Sequence, residues 1–273
     1  MSIFVCPVCG EKLSISGNSY LCSKGHCFDK AKSGYVNLLL SKHSGGGVHG
    51  DNKLMIRARR DFLERGYYAP LCGKISETAA KYAGKSSVIL DAGCGEGYYT
   101  SAIKDKLDKS DIAAEMYGID ISKDAVDLAS RRRSDISCAV SSVFHIPVAS
   151  GACGILLTMF APYCGEEYHR VLKNDGVMIM AIPSEDHLWE LKKAIYDTPY
   201  KNEVKPYELE GFSLLERERV TFSMEIGSKA DIQSLFLMTP YCYRTGKAER
   251  QRLDSLESLE TQADFEILTY RKE

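Results

Sequence analysis

The stretch LDAGCGEGYYT, residues 90–100, constrains the fold more than any other part of the chain. An apolar run ends in Asp91. Three glycines follow at positions 93, 95 and 97, and then a run that can continue as a helix. A buried strand, a tight loop and a helix start, in that order, open a βα unit. The order repeats downstream. AEMYGIDIS reads as a strand ending in an acid, KDAVDLASRR as a helix, SCAVSS and CGILLTMFA as strands, HRVLKNDG as a helix end and VMIMAIP as a strand. Strands alternating with helices imply a parallel sheet covered on both faces, an α/β fold of Rossmann-like type. HLWELKKAIYD then reads as a helix. SLLERERVTFSME and ADFEILTYRK read as two more strands around a helix starting near Asp231.

Ahead of this region the chain changes character. Residues 1–40 are rich in cysteine and turn residues and read as a small ribbon-like module. Residues 41–84 are expected to be a hinge, with its glycines at Gly45–Gly47, and a helical linker. Apolar residues recur there at Leu54, Ala58, Phe62, Leu71, Ile75 and Ala79. Gly66 and Pro70 punctuate that pattern, so two helices with a short break are expected. Residues 85–273 make the α/β domain. A chain of 273 residues can bury a substantial core, and no apolar run reaches the ~20 residues a membrane span needs. MSIFVCPVCG has no basic region followed by a long apolar stretch, so no signal peptide is read and a cytoplasmic protein is expected.

Four of the ten cysteine and six histidine side chains carry a metal pattern. Cys6 and Cys9 form one C-x-x-C pair, and Cys22 and His26 follow in CSKGH. Zinc takes four soft or borderline ligands in a tetrahedron, and thiolate with imidazole favours it over magnesium or calcium. Cys27, next to His26, is the alternative fourth ligand. A redox C-x-x-C belongs at a helix start near a βαβ unit, which this one lacks. With all four places filled by protein, the zinc would be structural and would supply folding energy to a module too small for a large core.

The glycine spacing is G-x-G-x-G. A dinucleotide fingerprint is G-x-G-x-x-G, and a P-loop would need G-K-[ST]. An acid just before the glycines would repel a pyrophosphate and attract an ammonium group. S-adenosylmethionine has an ammonium, a sulfonium and no phosphate. Gly93 and Gly95 would let the backbone approach it, with Glu96 in the same loop. Asp120, ending the next strand in GID, could accept both ribose hydroxyls, and Ser141 and Ser142 could meet the adenine edge. The bland readings are that Asp91 caps its turn and Asp120 caps the helix starting at Lys123.

Phe160, Pro162 and Tyr163 follow the next strand, where a methyl acceptor would approach, and the two aromatics could stack a flat base. The alternative for both is ordinary packing. No general base is named; Glu166 and Glu167 sit at a helix start, where the dipole stabilises carboxylates anyway. Residues 1–65 hold ten Lys or Arg against five Asp or Glu, while the whole chain carries −2. A basic front end on an acidic body fits a polyanion met by one end. Lys24, Lys30, Lys32, Arg57, Arg59 and Arg60 are the candidate phosphate contacts. Arg131, Arg132 and Arg133 end a helix, where cations are favoured without further function.

CPVCG, LCSKGHCFDKAKSGYVNLL, RARRDFLERGYYAPL, LDAGCGEGYYT and HLWELKKAIYD, in this order, resemble the RlmA family of bacterial 23S rRNA (guanine-N1)-methyltransferases. The resemblance covers nearly the whole chain. It implies a class I methyltransferase sheet with an N-terminal zinc module that recognises an rRNA hairpin. It implies methylation of N1 of one guanine in a hairpin lining the peptide exit tunnel, in free rRNA or an assembling large subunit, with a link to macrolide susceptibility in one branch. It further implies cofactor contacts from Tyr68 and His187, and a homodimer. Two other classes stay open: a small-molecule methyltransferase, and an inactive zinc-containing RNA-binding assembly factor.

Overall fold

The computed structural model describes residues 2–40, 50–84, 87–204 and 206–273. The hinge expected around Gly45–Gly47 lies outside the described residues. At the front, β1 (Ser14–Ser16), β2 (Ser19–Leu21) and β3 (Cys27–Asp29) form an antiparallel ribbon. The main sheet holds β4 (Val36–Asn37), β5 (Ser87–Ala92), β6 (Ala114–Asp120), β7 (Ile136–Val140), β8 (Cys153–Met159), β9 (Leu172–Pro183), β10 (Phe212–Ile226) and β11 (Leu259–Lys272). Its order in space is β10-β11-β9-β8-β5-β6-β7-β4. β11 runs antiparallel to both neighbours, and the other pairs are parallel. The carboxyl ends of the parallel strands therefore open on one edge of the sheet, where ligands of such folds sit.

The helices are α1 (Lys53–Glu64), α2 (Ala69–Tyr82), α3 (Tyr98–Lys109), α4 (Lys123–Arg132), α5 (Gly165–Val171), α6 (Trp189–Ile195), α7 (Lys229–Leu237) and α8 (Lys247–Ser255). The break expected after α1 is present. Asn52 caps the start of α1, its side-chain oxygen accepting from the amides of Leu54 at 2.9 Å and Met55 at 3.1 Å. Gly66 at φ +83° follows the helix, and Pro70 sits in the first turn of α2. Among the described residues no helix is long and apolar enough to cross a membrane.

Side chains alternate across the sheet into two cores. Ile89 and Met116 belong to the core shared with α1, α2, α3 and α4, while Leu90 and Tyr117 face the other way. That second face is covered by the front ribbon, through Phe4, Leu13 and Tyr20, and by α5, through Tyr168 and Val171. Phe4 is fully buried and meets the Tyr117 ring edge-on at 5.4 Å between centroids. A buried aromatic of this kind contributes about 2–3 kcal/mol. Residues 141–152, between β7 and β8, form no helix, and the ribbon packs against this loop. Phe4 bridges Val148, the Val5 amide donates to Pro147 O at 2.9 Å, and the Ala149 amide donates to Ile3 O at 3.2 Å. β4 completes the attachment as the eighth strand of the main sheet, beside β7.

Near the C-terminus the two expected long strands are present as β10 and β11. Between them lie α7, a 3-10 turn at Pro240–Tyr243 and α8. The helix expected near Asp231 is α7; the 3-10 turn and α8 are additions to the expected pattern. α7 packs on α1 and brings residues 238–241 over the open edge of the sheet.

Candidate active site

Cys6, Cys9, Cys22 and His26 converge, with their ligand atoms all within 4.8 Å of one another. The sulfurs of Cys9 and Cys22 are 3.7 Å apart, and His26 Nδ1 lies 3.5 Å from Cys6 Sγ and 3.3 Å from Cys22 Sγ. Zinc at ~2.3 Å from each sulfur of a tetrahedron would hold two sulfurs roughly 3.8 Å apart, so this donor set fits the ion. Two tight turns build it: the Gly10 amide donates to Cys6 O at 2.8 Å and the Gly25 amide to Cys22 O at 3.0 Å. Both glycines have positive φ, +75° and +82°, which a side chain would strain. Cys27 is exposed and its sulfur faces Asp29 Oδ1 at 3.9 Å, outside the cluster. The four protein donors leave no place for a substrate, so this is a structural site.

A crevice of about 420 Å³ opens at the carboxyl ends of β5, β6 and β7. Its floor is the glycine loop. Asp91 is buried at the end of β5, and its Oδ2 accepts from Thr100 Oγ1 at 2.6 Å. Among the described residues, Asp91 Oδ1 and Glu96 Oε1 are buried without a hydrogen-bond partner. Unpaired carboxylate oxygens are costly when buried, and they mark where a ligand must bring donors. Burial pushes the Asp91 carboxyl up to about 7; Thr100 opposes the shift, while Asp120 and Glu96 add to it. Glu96 is also raised by burial, against the pull of Arg59.

Asp120 ends β6 in the opposite wall. Its Oδ2 accepts from the Gly95 amide at 3.0 Å and its Oδ1 from the Ser122 amide at 2.8 Å. It thus ties the loop to the start of α4 and keeps lone pairs for two further donors. A Cβ at Gly93 would stand 2.4 Å from Ala161 Cβ, so only glycine lets the acceptor-side loop close over this floor. Ser142, Val143 and Phe144 make the far end. Ser142 Oγ accepts from the Phe144 amide at 3.2 Å, while Ser141 is turned away toward His145 O at 3.2 Å.

The crevice fits S-adenosylmethionine on this chemistry. Two orphaned carboxylate oxygens call for cationic or hydroxyl donors, and among the described residues no lysine lines it.

A second space of about 260 Å³ adjoins the crevice on the β9 side. Arg59, Leu63, Tyr99 and Phe160 border both. Tyr68 and His187, tied to the cofactor only by the family resemblance, line this second chamber and not the crevice. Their polar atoms meet, with Tyr68 Oη 3.4 Å from His187 Nε2. His187 Nδ1 accepts from the Asp264 amide at 3.2 Å, which places the ring proton on Nε2. Burial holds the imidazole down to about 3, so it stays neutral.

The arginines divide. A helix turns 100° per residue, so Arg57 and Arg60 share a face that Arg59 does not. Arg57 is exposed with no charged partner among the described residues. Arg60 pairs with its neighbour Asp61 at 2.8 Å. Arg59, expected at RNA phosphates, instead points into the crevice and is ion-paired with Asp51. Lys24 and Lys32 are exposed on the ribbon side, Lys24 being 3.7 Å from Glu11, and Lys30 is half-buried. Pro162 and Tyr163 are exposed in the loop after β8, with Phe160 beside them at φ +58°. Arg132, read as a dipole partner at a helix end, also donates through Nε to Glu96 O at 2.7 Å and so braces the glycine loop. Only its side-chain length and its place on α4 could have hinted at that. Glu167 is likewise structural, held by Arg170 at 2.6 Å and the Ile146 amide.

Comparison with known proteins agrees with this geometry. Residues 4–44 match the zinc-ribbon family described as RlmA, N-terminal, and residues 83–225 match a methyltransferase domain family. The chain is 32% identical over 278 residues to a Bacillus subtilis protein named putative 23S rRNA (guanine-N(1)-)-methyltransferase YxjB, covering 98% of this chain and 96% of that one. It is 34% identical over 193 residues to the 23S rRNA (guanine(748)-N(1))-methyltransferase of Streptomyces fradiae, covering 70% and 66%. Among solved structures, a putative methyltransferase from Bacillus halodurans superposes with a TM-score of 0.50 at 14% identity, over 74% of this chain and 98% of that one. That likeness concerns the fold alone.

Proposed function

The chain belongs to the RlmA family of 23S rRNA (guanine-N1)-methyltransferases, and from that premise we propose that it methylates N1 of a single guanine in a hairpin of 23S rRNA, with S-adenosylmethionine as donor. The observation that carries the reading is the pair of unpartnered buried carboxylate oxygens on Asp91 and Glu96, two residues that line a glycine-floored crevice. The cofactor supplies an electrophilic methyl group on a sulfonium. Asp91 meets its ammonium, Gly93 and Gly95 let the backbone close on it, Asp120 accepts from the ribose and Ser142 lies at the adenine end. The loop Phe160–Tyr163 positions the acceptor. Much of the acceleration then comes from holding the reactants in line. Zinc-held ribbon lysines and the exposed face of α1 grip RNA phosphates. The hairpin, an assembling particle as substrate, a cytoplasmic setting and a homodimer are parts of this proposal that rest on the resemblance.

Mass mapping of methyl groups on 23S rRNA from a deletion strain and its complemented parent tests the reading. One guanine that loses its N1 methyl in the deletion strain is the expected result; an unchanged map rules it out. The two arginine faces separate in a second measurement. Arg57→Ala should weaken RNA binding and lower its salt slope by about one, because one phosphate contact is lost. Arg59→Ala should leave that slope alone and weaken S-adenosylhomocysteine binding instead. A loss of salt slope in the Arg59 variant would put that side chain back on the RNA.

A further inference from the structure

The insertion between β10 and β11 has no part yet in the reading above. Its 3-10 turn, Pro240–Tyr243, follows α7 over the open edge of the sheet, and α8 starts just after it. Three side chains in this stretch face solvent. Tyr243 is 67% exposed, more than any other large apolar or aromatic side chain among the described residues. Arg244 and Lys247 are exposed after it.

The tyrosine is anchored at the rim of the crevice. Its Oη donates to Met55 Sδ on α1 at 2.7 Å. Met55 lies one helical turn before Arg59, which is ion-paired with Asp51 in the crevice wall. Tyr243 is close enough to feel that pair. Its phenol is pushed up from the ordinary value by burial first and then by the Asp51 charge, with Arg59 pulling the other way. The hydroxyl is therefore fixed, while most of the side chain stays open to solvent.

Charge sets this stretch apart from the body that carries it. From residue 66 to the end the chain holds 25 Lys or Arg against 32 Asp or Glu, while residues 240–255 hold four against two. Arg252 is held by Asp197 at 2.8 Å, and Arg250 donates to Cys242 O at 3.1 Å. Arg244 and Lys247 have no ion pair among the described residues. Glu249 is folded back on the start of α8, where a Cβ at Gly246 would stand 2.8 Å from its Oε2. An exposed ring followed by two uncompensated cations matches a single strand of nucleic acid, which offers a base face and phosphates beside it.

We propose that residues 240–247 form a second RNA-contact surface, on the flank of the crevice away from the zinc ribbon, where Tyr243 stacks an unpaired base near the target guanine and Arg244 and Lys247 hold the adjoining phosphates. The assignment rests on the 23S rRNA reading above and adds a contact to it. The sheet gives the reason for a second grip. The ribbon joins at β4, the last strand in space, and the insertion joins β10 to β11 at the other end. Seven spacings of about 4.8 Å put those ends roughly 34 Å apart, with the crevice between them. RNA held from the ribbon end alone would pivot over the crevice. A contact at the far rim fixes the strand that carries the guanine. Stacking on an aromatic ring is tolerant of sequence, so this surface positions the strand and leaves the choice of guanine to other contacts.

The test uses full-length zinc-loaded protein and 23S rRNA from a deletion strain, with binding read across a salt series. Arg244→Ala together with Lys247→Ala should lower the salt slope by about 1.4, at ~0.7 for each contact to a single strand. Tyr243→Ala should weaken binding about tenfold and keep the wild-type slope, because a stack is lost and no charge. All three side chains are exposed, so melting temperatures should stay within ~2 °C of wild type. Affinity for S-adenosylhomocysteine should stay within twofold. Lys109→Ala, at the far end of α3, is the charge control and should keep the slope. A wild-type slope in the double variant, or wild-type RNA affinity in Tyr243→Ala, overturns the proposal. A tenfold loss of S-adenosylhomocysteine affinity in Tyr243→Ala also overturns it and puts the ring in the cofactor site. A changed sedimentation coefficient in any of these variants without RNA makes the surface a protein interface, and the proposal falls. Wild-type protein that neither binds nor methylates this rRNA overturns the parent reading, and the surface loses its occupant with it.

Discussion

Asp91→Asn is expected to weaken S-adenosylmethionine binding some thirtyfold, because the amide gives up a charge-assisted hydrogen bond worth about 2 kcal/mol. The variant should also lose a pH dependence that the native protein has. Burial holds the native carboxyl at about 7, so below that pH it carries a proton. A ligand with an ammonium group needs the ionised form, and binding must then expel the proton. Native affinity should fall on the order of tenfold per pH unit below pH 7 and level off above it. Calorimetry in buffers of different ionisation enthalpy would read close to one proton released at pH 6. With asparagine in place the curve should be flat and the release absent. The same carboxyl acts on the empty protein with the opposite sign. Its folded-state pKa lies above its ordinary value of 3.8, so the stability it contributes is present below that value and is lost as pH rises to about 7. Added cofactor should therefore raise the melting temperature more at pH 8 than at pH 5.5. A native affinity with no slope between pH 5.5 and 7 would remove Asp91 from the cofactor's ammonium.

Cys9→Ala should have the largest effect on folding. Structural zinc contributes an apparent ~10–16 kcal/mol in small zinc domains, as much as the entire stability of a typical domain. Losing one thiolate should release the metal, which a chromogenic chelator would count at one zinc per native chain and none per variant. The ribbon should lose its hydrogen-exchange protection, and so should residues 141–149. That loop receives the Val5 amide at Pro147 and gives the Ala149 amide to Ile3, so it cannot keep its bonds when the ribbon melts. The melting temperature should drop by ~10 °C or more. Retained protection in residues 141–149 with the metal gone would show that the ribbon does not support the loop.

The zinc set and the crevice floor were legible because their chemistry is written in short spacings. Cys6, Cys9, Cys22 and His26 lie within 21 residues, and Asp91, Gly93, Gly95 and Glu96 lie within six. Asp120 was legible from its place at a strand end; it accepts from the Ser122 amide just ahead of α4, whose N-cap is Ser122 itself. What hid from the sequence was assembled at long range or decided by orientation. Arg59 shares a basic cluster with Arg57 and Arg60, yet the helical twist turns it into the crevice. β4 is two residues long, too short to show any alternation. The chamber draws on Tyr68, Tyr99, Phe160, His187 and Phe265, whose closeness only the folded sheet creates. α8 left little trace because Leu253 is the single buried residue on a polar helix, so it has no apolar stripe to read.

The seam between the ribbon and the sheet bears on how such a chain can be cut or recombined. The residues that look like a detachable front end supply an outer strand, a buried phenylalanine and part of the cover of one face. Residues 50–273 expressed alone would leave Tyr117, Ile119 and Val148 facing water and the outer hydrogen-bonding edge of β7 bare. Bare edges next to apolar faces recruit other chains. A fusion that grafts this ribbon onto another catalytic body would fail from both sides, for the donor would precipitate and the graft would have no β7 to lie against.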